Sequence, residues 1–78
     1  MSENASASTW LDRLIDERMW VVGNVEKLRV FMASDAFSTA TYTQQTLMHR
    51  QLACMNRYLD VLDERIAAGT AAQSQGAV

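Results

Sequence analysis

The stretch MHRQLACMNRYLDVLDERI, residues 48–66, places Met48, Leu52, Met55, Leu59, Leu62 and Ile66 at alternating gaps of four and three. That spacing returns each residue to one side of an α-helix and makes a continuous apolar seam. A matching seam lies upstream: Leu11, Leu14, Arg18, Val21, Val25, Leu28 and Met32 follow the same rhythm with one charged member. Two seams predict two helices whose apolar sides face each other. The expected fold is all-α, an antiparallel helical hairpin, with helix 1 over about residues 10–33 and helix 2 over about 42–68.

The connection, SDAFSTATY at residues 34–42, is rich in Ser, Thr and Asp, which compete for backbone hydrogen bonds and favour turns. Phe37 is the large apolar residue in its middle and is expected to plug the end of the hairpin. Thr41 followed by Gln44 reads as a capping box that starts helix 2. Thr9 is the expected N-cap of helix 1, and Gly69 the expected stop of helix 2. Residues 1–8 and 69–78, small and polar without periodicity, are expected to be disordered tails around a hairpin spanning residues 9–68. Gly23 and Asn24 weaken helix 1, but the apolar phase passes from Val21 to Val25 without a slip, so one helix is expected.

Seventy-eight residues make one small domain. Chains of this size bury little surface and usually need a staple or a partner subunit. Cys54 is the only cysteine and His49 the only histidine. An intramolecular disulfide is therefore excluded, and a zinc site lacks ligands. Self-association remains. Helix 2 carries a second row, Leu47, Cys54, Tyr58 and Val61, with Gln51 and Arg65 in the same line, which widens its apolar arc beyond what one neighbouring helix covers. That row is the expected dimer interface, two hairpins forming a four-helix bundle; a docking face for a foreign protein is the other use of it.

Helix 1 has its own surplus. With its seam turned inward, Met19, Trp20, Gly23 and Val30 point away from it, and Lys27 follows one turn beyond Gly23. Trp20 is a candidate anchor for a partner; Met19, Lys27, Val30 and Trp10 are candidate contacts around it. Covering a second subunit would use the same residues. Arg18, inside the first seam, is expected to carry its head outward to solvent on an apolar stem, with pairing to Asp60, Asp63 or Glu64 as the alternative.

Catalytic templates find no match. His49 has no context that makes it a base, and Cys54 stands in an apolar row as a small hydrophobe. Carboxylate pairs such as Asp12 with Asp16 suit solvated helix ends, and no glycine-rich phosphate loop exists. No enzyme, cofactor or metal is expected. Seven Lys and Arg against nine Asp and Glu, a net charge of −2, disfavour direct nucleic-acid binding. No signal peptide or membrane span is read, and a single free cysteine fits a reducing compartment, so a cytoplasmic protein is expected.

Glu17-Arg18, Lys27-Leu28, Phe31-Met32, Ser34, Phe37, Gln45, Leu47, Arg50-Gln51-Leu52, Met55, Tyr58, Val61-Leu62 and Arg65-Ile66 together carry a resemblance. The pattern, over about two-thirds of the chain, resembles the small helical-hairpin proteins of temperate phages and prophages. Among them it is similar to anti-quorum-sensing and twitching-inhibitory proteins of pseudomonad phages. Most of these positions are of core type. The resemblance implies a homodimer of hairpins that binds and disables host proteins inside the host cell. The implied targets are a LuxR-type quorum-sensing regulator, through its DNA-binding domain, and the assembly ATPase of type IV pili. Two other classes compete: an oligomeric sponge for cyclic nucleotide immune signals, for which Arg50, Arg57 and Tyr58 are the candidate residues, and a phage structural accessory protein.

Overall fold

A computed structural model describes the backbone from Ser2 to Gly76 and the side chains from Trp10 to Ala72. Three helices follow in chain order: α1 (Ser2–Met32), the short α2 (Asp35–Ser38) and α3 (Tyr42–Gly76). No strand occurs among the described residues. The start of α1 lies against the end of α3, Trp10 and Leu11 beside Gly69, and Arg18 beside Asp63. The two long helices therefore run antiparallel, joined through α2.

The helices exceed their expected bounds at the open end. Residues 2–9 are part of α1, so Thr9 is no N-cap, and α3 runs past Gly69 to Gly76. Disordered tails were expected over 1–8 and 69–78, yet the backbone of 2–8 and 69–76 is helical; residues 1, 77 and 78 lie outside the described ones. The physical reason is the lack of a stop. Residues 2–9 hold no Gly or Pro, and residues 70–75 include two Ala, the strongest helix former. Gly69 does not end the helix because its φ is not positive. It makes room instead: a Cβ there would lie 2.5 Å from Cη2 of Trp10 and 3.3 Å from Cδ1 of Leu11.

At the closed end, Phe37 is half-buried and makes edge-to-face contacts with Phe31 (6.3 Å between centroids) and His49 (5.7 Å). The Gln45 amide donates to the carbonyls of Phe37 (3.1 Å) and Ala40 (3.0 Å), tying the connection to α3. Thr41 Oγ1 accepts the Gln44 N–H at 3.1 Å, the N-cap half of a capping box.

The core is small. Leu11, Leu14, Val21, Val25 and Leu62 are its buried apolar members, with Leu52, Met55, Leu59 and Ile66 half-buried around them. All nine belong to the two seams. The molecule measures 56 × 22 × 15 Å, with a radius of gyration of 17.5 Å; a compact chain of this length would have about 12 Å. A rod of two helices leaves most side chains with one wet side. Arg18 does not carry its head to solvent alone: its Nε donates to Asp63 Oδ1 across the two helices. The pair is about half exposed and contributes at most about 1 kcal/mol, so it marks the register of the hairpin more than it stabilises it.

Candidate functional site

Between α1 and α3 lies an open cleft of about 350 Å³. Trp20, Val21 and Asn24 line it from α1; Gln51, Met55 and Tyr58 line it from α3. Val21 is fully buried and Met55 half-buried, so the floor is continuous with the core. The walls are different. Trp20 is 68% exposed and Tyr58 is 40% exposed, one aromatic ring on each side.

Helical spacing builds both walls. On α1, Trp20 and Asn24 are four residues apart and share a side; on α3, Gln51 and Tyr58 are seven apart, two turns along one row. The antiparallel pairing, marked by the Arg18–Asp63 contact, then brings the α1 wall opposite the α3 wall. Each wall supplies one aromatic and one carboxamide.

The Gln51 amide is exposed and donates to the weakly accepting Met55 sulfur at 3.9 Å; Asn24 is half-buried opposite it. Asn24 follows Gly23, and both are poor helix residues. A Cβ on Gly23 would meet nothing within 4 Å, so no packing contact inside this chain calls for a glycine there.

Of the sequence candidates, the structure brings Trp20 and Tyr58 together, although the first was read as a partner anchor and the second as part of a dimer row. Met19, Lys27 and Val30 are exposed on α1 outside the lining of the cleft. Trp10 is half-exposed and set against Gly69, at the open end. Leu47, Cys54 and Val61 are exposed along α3. Asn24 and Gln51 were not singled out as site residues. The signal for Asn24 was present in the Gly23-Asn24 pair: Gly23 was read on the same outward side as Trp20, but Asn24 was weighed as part of a helix interruption.

Among the described residues, no group of three or more His, Cys, Asp or Glu side chains gathers as a metal site would require. No described helix is long and apolar enough to cross a membrane.

No curated protein and no solved structure shows significant similarity to the chain. A protein-family model described as Sequestin matches residues 8–68, which contain both seams, the connection and every residue lining the cleft. The chain belongs to the Sequestin family.

Proposed function

We propose that this protein works by sequestration: it holds a small nucleotide in the Trp20–Tyr58 cleft, withholds it from its receptor and does not transform it. The observation that carries this reading is the cleft itself, with an aromatic ring and a carboxamide on each wall. Its volume, about 350 Å³, suits one base with its sugar and lies at the small end of the range for ligand pockets. Nucleobases stack on aromatic rings, at about 1–3 kcal/mol per base. Asn and Gln amides pair bidentately with the N6 and N7 of adenine, whereas guanine is matched by Arg or Lys. The lining holds two carboxamides and no guanidinium or ammonium, so the cleft suits adenine. Lys27, one turn beyond Asn24, and Arg57, beside Tyr58, offer positive charge for phosphates close by.

The family name, Sequestin, supports capture as the mode of action. The resemblance to phage-encoded hairpins supports a host signal, such as a cyclic nucleotide of immunity, as what is captured. The protein acts in this reading as a homodimer in the host cytoplasm, since its small core and the exposed row Leu47, Cys54, Tyr58 and Val61 favour a second copy.

A second reading, capture of a host protein such as a LuxR-type regulator or the pilus ATPase, is favoured by Met19 and Val30. These are 64% and 72% exposed on α1 and stand apart from the cleft. Calorimetry with cyclic di-AMP and cyclic di-GMP separates the two. The nucleotide reading expects saturable heat with the adenine ligand and at least tenfold weaker binding of the guanine one. No heat with either ligand removes it and leaves the protein-capture reading.

A further inference from the structure

Charge along the rod is divided at the cleft. On its open-end side, residues 10–19 and 59–66 hold six acids and three arginines; on its closed-end side, residues 20–58 hold four Lys and Arg and two acids. Each hairpin is thus an electric dipole along its 56 Å axis, with a net −3 on one side of the cleft and +2 on the other. The exposed apolar groups Trp20, Tyr58 and Val61 lie near the point where the sign changes.

We infer that two copies stack cleft to cleft with their α2 ends at opposite ends of the assembly. In that orientation the acidic half of each hairpin lies over the basic half of the other, whereas stacking with both α2 ends together opposes like with like. Complementary charge of this kind fixes orientation and speeds encounter. The overlap centres near residue 22 of α1, where Glu17 of one copy comes level with Lys27 of the other.

The consequence concerns the cleft. It is open on one side in a single chain, and the second copy supplies its roof, so the Trp20 and Tyr58 rings of both copies enclose one shared cavity with two-fold symmetry. A ligand with two-fold or near two-fold symmetry, such as a cyclic dinucleotide, matches that enclosure. The choice of ligand rests on the nucleotide reading above; the stacking does not.

The test uses the full chain with a spin label at Ala36→Cys, within α2, in a Cys54→Ser background. With a rise of 1.5 Å per residue, opposed ends place the two labels roughly 45 Å apart, and adjacent ends bring them within roughly 20 Å. Light scattering on the unlabelled chain should give twice the 8.7 kDa chain mass, and Val61→Asp, at an exposed position outside the core, should give the single-chain mass with helicity kept. A single-chain mass for the unaltered protein, a short label distance, or a dimer that survives Val61→Asp overturns the proposal. A dimer with the long distance that binds no nucleotide upholds the stacking and removes the nucleotide reading.

Discussion

Gly23 and Gly69 occupy the interiors of their helices for opposite reasons. Beside Gly69 the Trp10 ring leaves no room for a methyl group, while around Gly23 the space is open. Gly23→Ala should therefore raise stability by about 1 kcal/mol, the helix-propensity difference, read as a higher urea midpoint at unchanged slope. Gly69→Ala gains the same propensity but must displace Trp10, and its midpoint should stay at or below that of the unaltered protein. Equal gains at both positions would show that Trp10 does not sit on Gly69. From sequence, Gly23 read as a weak point inside one helix and Gly69 as a helix stop, because a glycine's spacing says nothing of what stands next to it. Only the partner helix, 59 residues away in the chain for Trp10 and Gly69, separates the two cases.

At the scale of the helices, the seams were legible because 3.6 residues per turn converts spacing directly into a side. Their members supplied the whole core, and Leu62, at 0% exposure, is its most buried side chain. Leu62→Ala should lower stability by about 2–5 kcal/mol, enough to unfold a large fraction of so small a domain, measured by helical circular dichroism against urea. Removing the ion pair should do much less. Asp63→Asn is expected to change stability by less than about 1 kcal/mol, with the difference fading in high salt. A larger loss would mean that the pair holds the register instead of marking it. Arg18 was harder to read than the apolar residues, since three acids were within plausible reach and periodicity does not choose among them. The ends of the helices were least legible. Polarity made residues 2–8 and 70–76 look like tails, whereas helix continuation needs only an unbroken backbone and the absence of strong stop signals.

The whole molecule is a rod with a small core, and the binding surface proposed for it is the cleft between α1 and α3. Half of that site was visible in the sequence. Trp20 and Tyr58 stood out as surplus aromatics, but they were assigned to two different surfaces, since which flank of α1 meets which flank of α3 depends on the handedness of the pairing. Asn24 and Gln51 were not singled out as site residues because a polar residue on a helix flank is ordinarily solvated. Their pairing across the cleft is a property of the folded hairpin alone. The central claim is that these four side chains hold a nucleotide. Titration of cyclic di-AMP into the unaltered protein and into Trp20→Ala, with circular dichroism on both, tests it most directly. The account predicts saturable binding that weakens roughly tenfold or more in the variant while its helical spectrum is unchanged, as the loss of one stacking ring requires; equal binding by the two proteins, or none by either, would contradict it.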